Sequence, residues 1–304
     1  FVSVQISSSA APEFADDGGL ETMDRAVASP CRGRLRPSPM RLAALAAAAA
    51  AAHAAARCGM TYMRPDFRTL PLLAANGSAE HHHSLERYVE QGVEAPPAGA
   101  PCVMIVLYVP GSAGAHTQAR AIASTLLRAP RAARRVHVYA LRHGGGHSAF
   151  DGRVLQAHAR LVSRAMATLC AAYAPSACPP VAILGHSMGA IAALEALRMR
   201  AVALGGGPGA DAAEPSPTWP TAAALVGLGA PFRRAPAALS PSLDAVYTQL
   251  RAHWASDATW AGGDGLLPAF ASVSSTTDFQ VPAEMAGLDG VVPERAIAID
   301  SPAQ

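Results

Sequence analysis

Charge is scarce in this 304-residue chain: only 15% of its residues are charged, and the net charge is +2. With no basic field, the chain is expected to have no nucleic-acid partner. An apolar run long enough to span a bilayer is also missing. The longest, LAALAAAAAAAHAAA, has about 15 residues where roughly 20 are needed, and His53 interrupts it. Cysteine is sparse and scattered: Cys31, Cys58, Cys102, Cys170 and Cys178 have no metal-ligand spacing, and their odd number leaves disulfide pairing open. His81-His82-His83 has no Cys or carboxylate partner at a ligand spacing, so it is expected to be a solvated loop. No metal or other cofactor is expected. What the chain has in quantity is apolar residues, 51% of the total, enough for a sizeable core. Much of this is alanine, which tolerates almost any environment and blunts arguments from periodicity.

Three segments are expected. Residues 1–39 are polar, rich in Ser, Pro and Asp, and without period, so they read as a disordered extension. The chain begins at Phe1 rather than Met, the mark of a fragment or an incomplete gene model, and Met40 is a possible initiator. Residues 40–57 place Arg32, Arg34, Arg36 and Arg41 ahead of the alanine-rich run and Ala54-Ala55-Ala56 at its end. That is the layout of a secretory signal peptide or signal anchor. Asn76-Gly77-Ser78 is a glycosylation sequon, in keeping with a lumenal surface loop. Residues 58–304 are expected to form a single enzymatic domain.

That domain is built around Val181 to Leu197. Four apolar residues run into Gly185-His186-Ser187-Met188-Gly189, and an Ala/Leu-rich helical segment follows. G-x-S-x-G between a strand and a helix is the nucleophile elbow of α/β-hydrolases. The two glycines are needed because a Cβ at either would collide in so sharp a turn. Ser187 is the candidate nucleophile, and the amide of Met188, at a helix N-terminus, is a candidate oxyanion donor. Around the elbow, Cys102 to Val109, Val136 to Leu141 and Ala222 to Leu228 read as strands, and His116 to Arg128 and Arg153 to Tyr173 as helices. The alternation predicts an α/β fold of the α/β-hydrolase type, a mostly parallel sheet with helices on both faces.

The second oxyanion donor belongs in the loop after the third strand of such a sheet, and the nucleophile follows the fifth. Counting back from Ser187 places that loop at Pro110-Gly111-Ser112-Ala113-Gly114, with the Ser112 amide as the donor. His143-Gly144-Gly145-Gly146 has the look of the lipase HGGG motif but follows the next strand, and is expected to be a flexible loop.

An ordered set of motifs resembles the GPI inositol-deacylase family. Cys58-Gly59-Met60-Thr61-Tyr62-Met63 is similar to the family's C-x-M-T-Y-M, Pro110 to Gly114 to its PGNAG loop, and Ser148-Ala149-Phe150-Asp151-Gly152 to its SAFHG segment. Gly185 to Gly189 repeats GHSMG, Gly229-Ala230-Pro231 stands at a T-P-H-type turn, and Thr277-Asp278-Phe279-Gln280-Val281 resembles R-D-Y-Q-V. The resemblance runs from about Cys58 to the C-terminus. It implies hydrolysis of the acyl ester on the inositol ring of GPI anchors, with GPI-anchored proteins and membrane lipid as partners and a lumenal catalytic domain at the endoplasmic reticulum membrane. Two departures stand out: the family's acidic FNEE-like stretch reads Leu141-Arg142-His143-Gly144-Gly145, and Phe232 stands where a His follows T-P.

The triad order Ser…Asp…His is incomplete. Asp278 fits the acid by position and by resemblance, Asp300 is the rival acid, and Asp244 reads as structural. The base histidine is unknown. The last histidine, His253, precedes Asp278, and the family's D-H-L-S segment falls at Asp300-Ser301-Pro302-Ala303, putting Ser301 where it has its histidine. His186 is expected to point away from Ser187. Without an imidazole to take its proton, a serine hydroxyl is a weak nucleophile. A C-terminally truncated or mis-spliced chain is the reading adopted. The alternatives are another serine lipase or thioesterase, and an inactive α/β-hydrolase-fold binding protein.

Overall fold

The computed structural model describes residues 2–7, 63–73, 79–93, 104–129, 136–173, 178–204, 219–236, 240–255, 268–275, 281, 283–288 and 296–300. Among these, strands β1 (Val2–Ser7), β2 (Pro65–Leu73), β3 (Ala79–Glu90), β4 (Met104–Val109), β5 (Val136–Arg142), β6 (Val181–His186), β7 (Ala222–Leu228), β8 (Ala269–Ser275) and β9 (Ala296–Asp300) form one sheet in the order β2-β3-β5-β4-β6-β7-β8-β1-β9. From β5 across β4, β6 and β7 to β8 every pairing is parallel; the flanking pairings are antiparallel.

The central strands are nearly continuous apolar runs because both of their faces are covered. Successive side chains of a strand point to opposite faces, and β4 divides accordingly. Ile105, Leu107 and Val109 join one buried cluster together with helices α2 (Gly152–Ala172), α3 (Met188–Leu204) and α4 (Pro241–Trp254). Val106 and Tyr108 face the opposite side, where the short 3-10 turn His116–Ala119 and helix α1 (Arg120–Arg128) pack with Ala119, Ala123 and Leu127. The expected architecture of a mostly parallel sheet with helices on both faces is therefore present.

Two helix starts near the site are fixed by side chains. The Asp151 carboxylate accepts the Arg153 amide at 2.8 Å, and the Ser240 hydroxyl accepts the Leu243 amide ahead of Pro241 at the first helical position. Asp244 sits exposed in the first turn of α4, where a carboxylate favours the positive end of the helix dipole, a structural role as expected.

Two expectations are corrected. His81 to His83 belong to β3 rather than to a solvated loop. The polar residues that follow in this strand are buried yet partnered, which disguised it: Ser84 and Thr69 donate to the Glu86 carboxylate at 2.8 and 2.9 Å, and Arg128 and the Arg64 amide to Glu90 at 2.5 and 3.0 Å. Val2–Ser7, placed in the disordered extension, is a strand between β8 and β9. Its alternation of Val2, Val4 and Ile6 with Ser3, Gln5 and Ser7 has the period of two that a strand requires. The segment 40–57, the opening motif as far as Tyr62, and the sequon all lie outside the described residues. No described helix is long and apolar enough to cross a membrane.

Candidate active site

Parallel register brings the carboxyl ends of the central strands level: Val109 pairs with Gly185, and Gly185 with Gly227. The loops that leave this edge therefore meet, and Ser187 stands among them. Its φ is +50°, in the left-handed region that a side chain normally avoids, at a cost of roughly 1–2 kcal/mol. The turn is held open by contacts on each side. The Ser187 amide donates to the Leu228 carbonyl at 2.9 Å, and the Ser187 carbonyl accepts the Ala190 amide at 3.1 Å. A Cβ on Gly185 would meet Ala190 backbone at 2.2 Å, and one on Gly189 would meet the Val109 carbonyl oxygen at 2.2 Å. The elbow glycines are steric requirements, as the sequence predicts.

The Met188 amide opens α3, and its side chain is buried beneath Tyr247, whose hydroxyl contacts Met188 Sδ at 3.8 Å and donates to the Pro231 carbonyl at 2.9 Å. The loop 110–114 lies directly against Ser187: a Cβ on Gly111 would be 3.0 Å from Ser187 Cβ and 2.9 Å from the His186 carbonyl oxygen. Within that loop the Ala113 amide is taken by the Gly146 carbonyl at 2.9 Å and the Gly114 amide by Gly111 at 3.0 Å. Ala113 adopts φ +54°, turning the chain sharply just beyond Ser112. The Ser112 hydroxyl accepts the Ala149 amide at 3.2 Å, which docks the SAFDG segment onto the loop. Ser187, Met188 and the loop that carries Ser112, picked from the sequence, are thus brought together.

His253 and Asp300 stand apart from these residues, whereas His186 stays beside them. His186 is exposed, and its ring lies beside Gly111, with Nδ1 3.2 Å from the position of a Cβ there. His253 closes the last turn of α4 in edge contact with Trp254. Burial and then the charge of Arg198 lower its pKa. Arg198 is eleven residues beyond Ser187 along α3, about 16 Å at 1.5 Å per residue. On α4, His253 lies six residues past Tyr247, the residue that touches Met188, and so about 9 Å further along that helix. Asp300 ends β9, four strands from β6 and so roughly 19 Å away across the sheet. Asp278 lies outside the described residues; the strand before it, β8, is parallel to β6 through β7 and ends at the Ser187 edge of the sheet.

Sequence reasoning missed the histidines behind the loop 110–114. His143 and His158 are buried and stacked 4.1 Å apart. Burial lowers both pKa values, that of His158 to about 4 with the His143 charge as the next cause. Among the described residues no group of three His, Cys, Asp or Glu side chains is arranged to hold a metal ion. Beside the SAFDG segment a cleft of about 510 Å³ is lined by Phe150, Asp151, Arg153, Ser240, Pro241 and Ser242, with Phe150 59% exposed at its rim.

Residues 101–299 match the PGAP1-like alpha/beta domain. Curated relatives include the GPI inositol-deacylase of Emericella nidulans, 26% identical over 78% of this chain and 22% of its own length. The GPI inositol-deacylase of Xenopus laevis is 30% identical over 46% of this chain and 16% of that protein. The chain thus spans about a quarter or less of the length of these relatives. Among solved structures, TT1662 from Thermus thermophilus is similar at 16% identity over 76% of this chain and 86% of that one, with a TM-score of 0.44. With the family match covering most of the domain and the elbow geometry in place, the chain belongs to the PGAP1-like alpha/beta domain family and carries an α/β-hydrolase fold.

Proposed function

We propose that this domain is a serine hydrolase that removes the inositol-linked acyl chain from the GPI anchors of proteins at the endoplasmic reticulum membrane. The observation that carries the reading is Ser187 held at φ +50° at a strand-to-helix turn, with Gly111 packed against it. Ser187 Oγ attacks the ester carbonyl as a general base takes its proton, and the amides of Met188 and Ser112 hold the tetrahedral oxyanion. The intermediate collapses to an acyl-Ser187, and the inositol hydroxyl leaves with the proton. Water then attacks the acyl-enzyme by the same route, releasing the fatty acid and restoring Ser187. Asp278 is the proposed acid that orients the base.

The substrate class is supported by the names of the relatives and by the ordered motifs from Pro110 to Val281. Phe150, exposed at the rim of its cleft, offers apolar surface for a lipid chain. A lumenal domain is in keeping with Cys170 and Cys178 lying side by side, their Cα atoms 4.9 Å apart and within reach of a disulfide, since such bonds persist in oxidising compartments. The segment 40–57 is the proposed signal or anchor. The test is release of free fatty acid from an inositol-acylated GPI anchor by the full-length protein. Release that Ser187→Ala abolishes supports the reading. No release, with simple esters still hydrolysed, favours a general lipase or thioesterase.

A further inference from the structure

The His143-Gly144-Gly145-Gly146 stretch is not spent on a loop of no consequence. His143 is buried behind Pro110 to Gly114 and has both ring nitrogens occupied: Nδ1 accepts the Gly145 amide at 3.2 Å, and Nε2 faces the Pro110 carbonyl at 3.4 Å. An acceptor at Nδ1 puts the proton on Nε2, so the ring donates to Pro110 and is neutral. The three glycines make this geometry possible. Gly144 and Gly145 take φ of +75° and +81°, which turns the chain back onto the ring of its own histidine. A Cβ on Gly146 would lie 2.8 Å from the Val154 side chain, so this glycine sets the loop hard against α2. From there the Gly146 carbonyl accepts the Ala113 amide at 2.9 Å.

We infer that His143 is a positioning residue which, with Gly146, clamps the oxyanion loop from behind and so sets the Ser112 amide against Ser187. The inference rests on the reading of Ser187 as nucleophile. Protonating His143 places an N–H at Nδ1 against the Gly145 N–H, two donors face to face, and the clamp opens. The titratable groups facing the ring are His158, stacked on it from α2, and His83, from β3. Both are histidines that gain positive charge on acidification, so they oppose protonation of His143 and keep the clamp closed near neutral pH.

The test compares His143→Gln, whose amide nitrogen reaches the place of Nε2, with His143→Leu, which has no donor, in the full-length protein hydrolysing p-nitrophenyl butyrate. Ser187→Ala is the control, with Tm recorded for every variant. His143→Leu is expected to lower kcat by about 30- to 100-fold with KM within about twofold, as displacement of an oxyanion donor does, and His143→Gln to recover most of that loss. The pH–kcat profile of His143→Gln is expected to be flatter on the acid side. A folded His143→Leu with wild-type kcat would overturn the inference, as would equal losses in the two variants or failure of both to fold. If Ser187→Ala itself retains turnover, it is the nucleophile reading that fails, a separate outcome.

Discussion

Gly111 and Ser187 are packed so closely that a single Cβ on the glycine would stand 3.0 Å from the Cβ of the serine. This contact joins the loop after β4 to the loop after β6, so the proposed nucleophile and the proposed cradle for its oxyanion cannot move independently.

Backbone strain sits at Ser187. Replacing it with glycine relieves a left-handed φ worth roughly 1–2 kcal/mol, offset by about 0.5–1 kcal/mol of added chain entropy in the unfolded state. Ser187→Gly is expected to abolish activity while leaving Tm unchanged or raising it by up to about 4 °C. Calorimetry checks it; a fall in Tm would mean that the turn is not strained.

Gly189 is packed on Val109 and Pro110, with 2.2 and 2.5 Å separating a Cβ there from their carbonyl oxygens. Those are backbone atoms, so the helix or the oxyanion loop must shift. Gly189→Ala is expected to cost about 1–3 kcal/mol in a denaturant titration and to lower kcat about 100-fold through misplacement of the loop. Wild-type kcat in this variant would show that the loop tolerates displacement.

The elbow and its neighbouring strands were legible because each residue there does locally what its type favours: apolar runs buried on both faces, glycines where Cβ atoms cannot fit. The β2–β3 hairpin was not. Its second strand carries Ser84, Glu86 and Glu90, which look like solvent-facing residues until Thr69, Arg64 and Arg128 are seen to meet them. The HGGG segment is a loop as expected, but its packing was hidden for a related reason. His143 acts on Pro110, 33 residues earlier in the chain, and no short motif records a partner at that distance. Asp278 rests on position and resemblance alone.

Two buried groups divide the acid limb of the stability profile. Burial raises the pKa of Glu90, but hydrogen bonds from Tyr88 and Arg128 and the Arg64 amide outweigh it and bring the pKa to about 2, from an ordinary 4.5. A lowered carboxylate contributes stability above about 4.5 that is lost as pH falls towards 2. His158 is lowered from 6.5 to about 4 because burial disfavours its cation. The unfolded chain binds that proton more readily, so stability falls from pH 6.5 down through 4. His158→Leu is expected to flatten the denaturation midpoint between pH 6.5 and 4, and Glu90→Gln to flatten it below 4.5 at a cost near neutrality. Unchanged slopes in both variants would contradict these assignments.

Phe150 is expected to contribute to substrate binding rather than to chemistry. Phe150→Ala should raise KM for a long-chain p-nitrophenyl ester about three- to tenfold through lost apolar burial while leaving kcat within about twofold. Equal losses for acetyl and long-chain esters would remove it from the acyl path.

The central claim is that Ser187 is an activated nucleophile in a formed oxyanion cradle. Its most direct measurement is covalent labelling of the full-length protein by a fluorophosphonate, with the modified residue identified by peptide mass spectrometry. The account predicts one adduct, on Ser187, absent from Ser187→Ala and slowed in His143→Leu. No adduct on Ser187 in the folded protein, or labelling that persists in Ser187→Ala, would contradict it.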